Sequence, residues 1–86
     1  MSTVEIEWRG EERDIDKALD DFRIYGWRTD IKVESIEPDG FGYLMIVISA
    51  NESAKQFKAL VEGTGNADGI IDFLDDWGHV NNWVYL

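Results

Sequence analysis

Residues 41–50 read FGYLMIVISA, and every side chain from Tyr43 to Ile48 is apolar. Such a run has no polar face to turn to water. It suits a strand in the middle of a sheet better than one at an edge. Pro38-Asp39-Gly40 immediately before it is a turn signal. The segment before that turn, DIKVESIE (30–37), alternates, with Ile31 and Val33 directed inward. Two antiparallel strands joined by a short turn follow from these three features.

Further out, TVEIEWR (3–9) alternates cleanly, with Val4, Ile6 and Trp8 on one side and Glu5, Glu7 and Arg9 on the other. That is a half-buried strand, and Gly10 ends it. Asp14 is a good N-cap for a helix whose inner face is Ile15, Ala18, Leu19, Phe22 and Tyr25, with Gly26 as its stop. Asn51 is placed to cap a second helix with Ala54, Phe57, Leu60 and Val61 inward. GTGNADG (63–69) reads as a flexible break, Ile70–Trp77 as a further short helix, and HVNNWVYL (79–86) as a final strand. The order β-α-β-β-α-(α)-β in one domain spanning 1–86 predicts an α+β fold of the ferredoxin-like split βαβ type. It has four antiparallel strands with helices on one face and a short extra helix before the last strand. The first and third strands then form the central pair. If Leu44, Ile46, Ile48 and Ala50 face the helices, Phe41, Tyr43, Met45 and Val47 face out, beside Glu5 and Glu7.

The 86 residues carry 18 acidic and 8 basic side chains, a net charge of −10, and no Lys or Arg follows Lys58. Such a surface repels phosphate backbones and anionic membranes and attracts basic partners. The chain is 44% apolar and 13% aromatic, which argues for a folded core despite the charge. No cysteine means no disulfide and no thiolate chemistry, as suits a reducing cytoplasm. MSTVEIEWRG has neither the basic nor the apolar region of a signal peptide, and no apolar run is long enough to span a bilayer.

Gly40-Phe41-Gly42-Tyr43-Leu44 resembles the core of the RNP1 motif of RNA recognition motifs, in the expected third strand. ALDDFRIYGWRTDIKV (18–33) is similar to that family's first helix and second strand, and SAKQFKAL (53–60) to its second helix. The resemblance implies that Phe41 and Tyr43 stack unpaired bases. The chain departs from the pattern at Asp39, where the family has a basic residue, at Ile46, where it has an aromatic one, and at Glu5 and Glu7, which stand where the first strand offers an aromatic. Arg9, Arg23, Arg28 and Lys32 are scattered and outnumbered.

TGNADGIIDFLD (64–75) resembles an EF-hand calcium loop, with Asn66, Asp68 and Asp72 at ligand positions and Gly69 at the turn. Thr64 replaces the first acidic ligand and Asp75 the closing Glu. The competing reading is a loop in which Asn66 or Asp68 caps the next helix, and no metal or cofactor is expected.

Glu12, Asp16 and Asp20 recur every four residues along the first helix, and Asp72, Asp75 and Asp76 form a second acidic group. Either is a solvated face, or an imitation of phosphate spacing with Tyr25, Trp27 or Trp77 as aromatic anchors. His79 is the only histidine and lacks a nucleophile or ligand partner, and no catalytic constellation is present. The expectation is a small acidic, cytoplasmic, non-enzymatic protein-binding module that engages a basic protein surface, one that itself binds nucleic acid being a candidate. Its role would be that of an inhibitor, an immunity protein, a phage-encoded anti-defence factor or an adaptor. The contact residues are the two acidic groups and the sheet-face set Phe41, Tyr43, Met45, Glu5 and Glu7. The alternatives are single-stranded RNA binding by Phe41 and Tyr43, a small-molecule or calcium-responsive domain, and a sheet-to-sheet homodimer.

Overall fold

The computed structural model describes residues 1–26 and 30–86. The chain runs β1 (Ser2–Arg9), α1 (Glu12–Gly26), β2 (Lys32–Pro38), β3 (Leu44–Ala50), α2 (Ala54–Glu62), α3 (Ile70–Trp77) and β4 (His79–Tyr85). The strands form one antiparallel sheet in the order β2-β3-β1-β4, which is the ferredoxin-like split βαβ arrangement with α3 added before the last strand. In the central pair Val4, Ile6 and Trp8 stand opposite Ile48, Ile46 and Leu44. These inward residues join Ile15, Ala18, Leu19 and Phe22 of α1, Phe57 and Val61 of α2, and Ile70 and Leu74 of α3 in one core. Leu60 packs at its margin, Ala54 is exposed, and Tyr25 is half exposed with its ring against Phe73.

Beyond shifts of one or two residues at the ends of β1, β2 and β4, three boundaries differ from the sequence expectation. β3 begins at Leu44 rather than at 41, because Gly40 and Gly42 sit at φ of 85° and 95°, which an extended strand cannot accommodate. α1 begins two residues ahead of Asp14, whose own N–H bonds the Glu11 carbonyl at 2.9 Å. Asp14 instead lies in the first turn, where a carboxylate favours the helix dipole. Ser53, not Asn51, caps α2, accepting the Gln56 N–H, since residues 50–52 are still turning off β3.

Two irregularities re-phase the edge strands. Strict alternation through β2 would turn Ser35 inward and Ile36 outward. A bulge leaves Glu34 as an extra residue between Val33, opposite Ile48, and Ser35, opposite Val47, and so returns Ile36 to the core side opposite Ile46. In β4, Asn81 is the extra residue between Val80, opposite Trp8, and Asn82, opposite Glu7.

Trp8 ties the sheet to the helical layer. Its side chain is fully buried, and its indole Nε1–H donates to the Leu74 carbonyl at 2.8 Å. That carbonyl belongs to the last turn of α3, where intrahelical partners run out. Gly10 and Gly78 flank the ring: a Cβ on Gly78 would come within 2.5 Å of Trp8 Cζ2, and one on Gly10 within 2.5 Å of Cη2. Trp8→Phe keeps the apolar ring but strands the carbonyl, and is expected to cost about 1–3 kcal/mol. Gly78→Ala is expected to destabilise as well, since its Cβ would press on the Arg9 carbonyl and on the indole ring. Urea unfolding of both variants measures these losses.

Candidate interaction surface

None of the three helices lies on the second face of the sheet, so its chemistry follows from the strand register. Glu37, Met45, Glu7 and Asn82 form one cross-strand row. Ser35, Val47, Glu5 and Val84 form the next, and Lys32, Ser49 and Thr3 a third. Neighbours within a row stand about 5 Å apart. Both bulges add a polar group to this face. Glu34 Oε1 accepts from Ser49 Oγ at 2.7 Å, with Lys32 Nζ at 3.9 Å, and the Asn81 amide donates to the Glu7 carboxylate. The face therefore presents Glu5, Glu7, Glu34 and Glu37 interleaved with Met45, Val47 and Val84. Met45 and Val47 are half-buried between their neighbours, and Val84 is exposed. Lys32 lies at one end. Arg9, opposite His79, lies at the other with its guanidinium 5.2 Å from the centre of the Tyr43 ring.

Of the expected sheet-face set, Met45, Glu5 and Glu7 come together on the sheet itself. Tyr43 lies at the margin under Arg9. Phe41 is off the sheet, in the β2–β3 turn, and is 87% exposed. Sequence reading missed Glu34, Glu37 and Asn81: alternation from Ile31 and Val33 already turns Glu34 outward, whereas Glu37 reaches this surface through the re-phasing at the bulge. Glu37 could have been found from its place opposite Met45 once the turn at 38–43 had set the register.

The two acidic groups on the helices are not brought together. Asp20 pairs with Arg23 at 2.9 Å, and Arg23 in turn donates to the Ile31 carbonyl, so this flank of α1 faces β2. Glu12, Asp16 and Asp20 are exposed there. α3 docks on the other flank, through Phe73 against Phe22 and Tyr25 and Trp77 beneath Lys17. Two of its three acids serve their own backbone. Asp72 Oδ2 accepts the Gly69 N–H at 2.9 Å, and Asp75 Oδ1 accepts the Val80 N–H at 2.9 Å. Asp76 is exposed. Trp27 and Arg28 lie outside the described residues.

The same bonds shape the 64–75 segment. Instead of a flexible break it is a pinched loop, in which Thr64 N–H bonds the Ala67 carbonyl at 2.8 Å and Asn66 N–H bonds Thr64 Oγ1 at 3.2 Å. The backbones of Gly63 and Gly69 touch: a Cβ on Gly69 would fall 2.3 Å from Gly63 N. The helix cap is Gly69 with Asp72, rather than Asn66 or Asp68. Among the described residues no three His, Cys, Asp or Glu side chains converge as a metal-binding group. No helix among them is long and apolar enough to cross a membrane.

Two shallow cavities lie on the helical side. One of about 280 Å³ is lined by Ser2, Thr3, Ala54, Phe57, Lys58, Tyr85 and Leu86. The other, about 210 Å³, lies between Phe22 and Tyr25 of α1 and Ala59 and Leu60 of α2. At the first, the Tyr85 hydroxyl donates to Glu62 Oε2 at 2.5 Å. Partial burial first, then this bond and the Glu62 charge, hold the phenol well above its ordinary value of 10.0. Comparison with known family models, with curated proteins and with solved structures gives no match for this chain.

Two outcomes follow from these contacts. Asp72→Ala is expected to lower stability by about 1 kcal/mol by removing the acceptor at the start of α3, measured by urea unfolding. Tyr85 should make stability fall with rising pH. Above its ordinary value the unfolded chain loses a proton that the folded chain keeps, so the contribution present below about pH 10 fades at higher pH. Unfolding measured from about pH 9 to about pH 11.5 should show a shallower decline in Tyr85→Phe than in the wild type.

Proposed function

We propose that this chain is a protein-binding module that engages a basic protein surface through the open face of its sheet, as an inhibitor or adaptor. The observation that carries the reading is the interleaving of Glu5, Glu7, Glu34 and Glu37 with Met45, Val47 and Val84 on a face no helix covers. Carboxylates at strand spacing select lysine and arginine side chains. The apolar residues between them supply area to remove from water. The overall charge of −10 adds long-range steering toward a cationic partner.

The same geometry favours protein over RNA. A base stacked on Tyr43 would have to displace Arg9 from the ring, and the neighbouring rows carry carboxylates that repel phosphates. It also disfavours a sheet-to-sheet homodimer, which would set two carboxylate-bearing faces against each other. The helix acids become secondary contributors to the field: their two groups are not brought together, whereas the four carboxylates of the sheet face stand on adjacent rows beside Met45, Val47 and Val84, although Glu7 and Glu34 are held within the chain as Asp20, Asp72 and Asp75 are.

The test is a tagged pull-down at about 0.15 M salt with and without nuclease. A stoichiometric protein is expected to survive nuclease and to leave at high salt. It should be lost with Glu5→Lys/Glu7→Lys/Glu37→Lys and kept with Glu12→Lys/Asp16→Lys/Asp76→Lys. Equal retention by both triple variants, or partners that vanish with nuclease, would overturn the reading.

A further inference from the structure

We propose that Phe41 is the anchor of this interface, the side chain that enters an apolar pocket in the basic partner. The inference rests on the reading of the open sheet face as a protein-binding surface. It goes beyond that reading by fixing where the partner is gripped and what cavity it must offer.

The turn between β2 and β3 is built to hold Phe41 out. Asp39 Oδ1 accepts the N–H of Phe41 at 2.7 Å and the N–H of Tyr43 at 3.1 Å. The Asp39 N–H closes the base of the turn on the Tyr43 carbonyl at 3.0 Å. Gly40 and Gly42 supply the two left-handed positions at its shoulders. Among the described residues, no atom beyond the immediate chain neighbours lies within 4 Å of a Cβ placed on either glycine, so the turn stands clear of them. The base is thus fixed by side-chain and backbone hydrogen bonds, while the tip carries a phenyl ring that is 87% exposed. None of the bonds that shape the turn uses the Phe41 side chain. A polar residue there would leave them intact and better hydrated, which leaves the ring without a structural duty.

An apolar ring held out on a rigid support is a low-entropy anchor, because little freedom is lost when it is buried. The setting names its receptor. Glu37 precedes the turn on the open face, and Asp39 stands at its base. The pocket must therefore be apolar within and basic at its rim. Anionic lipid headgroups and nucleic-acid phosphates would meet those same carboxylates. A protein pocket ringed by Lys and Arg fits both features.

The experiment places the photo-crosslinking residue p-benzoylphenylalanine at position 41 of the full chain and, in a parallel arm, at Ser35 on the open face. Crosslinked proteins are identified, and the purified partner is titrated with the wild type, Phe41→Ala and Phe41→Trp. Both arms are expected to label the same basic protein. Phe41→Ala should weaken binding about thirtyfold with unchanged thermal unfolding, while Phe41→Trp keeps most of the affinity. Labelling from Ser35 alone, or binding by Phe41→Ala within about twofold of the wild type, would overturn the anchor and leave the sheet-face reading standing. Failure of both arms to label any protein, or labelling confined to RNA or lipid, would overturn both.

Discussion

The indole of Trp8 is the contact on which the rest of the molecule depends. It projects from the central strand β1 into the helical layer, and its N–H meets a carbonyl in the last turn of α3. α3 is a short helix of eight residues with no side-chain cap from Gly69 at its start, so its ends are its weakness. Asp72 answers at one end and Trp8 at the other. The glycines beside the ring, Gly10 after β1 and Gly78 before β4, are the points where the two neighbouring strands leave the sheet. Removing the methyl group at both lets the chain pass close over the indole.

Because α3 is fixed in this way, it packs against both α1 and α2. Phe73 and Trp77 pack toward α1, while Ile70 and Leu74 enter the common core. The three described helices share one side of the sheet, and none of them lies on the other. The open face follows from the packing on the opposite side. Its composition is set in turn by the two bulges. Each adds one residue to an edge strand, restores apolar residues to the core phase, and adds a polar side chain to the exposed surface.

Charge and apolar area are divided on that surface in a way suited to association in two stages. In the proposed complex the carboxylates would act over a Debye length and bias encounter. The apolar residues would act only on contact and govern how long it lasts. Arg9 over Tyr43 and Lys32 at the other end bound the acidic region.

By itself the sequence determined the element order, the central pair and most of the inward residues of β1, α1, β3 and α2. Alternation in 3–9, helical spacing in 15–25 and the all-apolar run in 43–48 are local patterns with a fixed period, and each is legible without its neighbours. It also carried the acidic character and placed Glu5, Glu7 and Met45 on one face. What it could not carry depends on partners distant along the chain. Ile36 returns to the core only through the Glu34 bulge, which is set by pairing with β3. Asp72 and Asp75 resemble metal ligands in a string, yet they spend their oxygens on Gly69 and Val80. Phe41 reads as a strand residue until Asp39 gathers the N–H groups of Phe41 and Tyr43 into a turn. The value of a buried contact is shared between distant residues, so only the assembled structure decided which acids remain available and where the exposed ring stands.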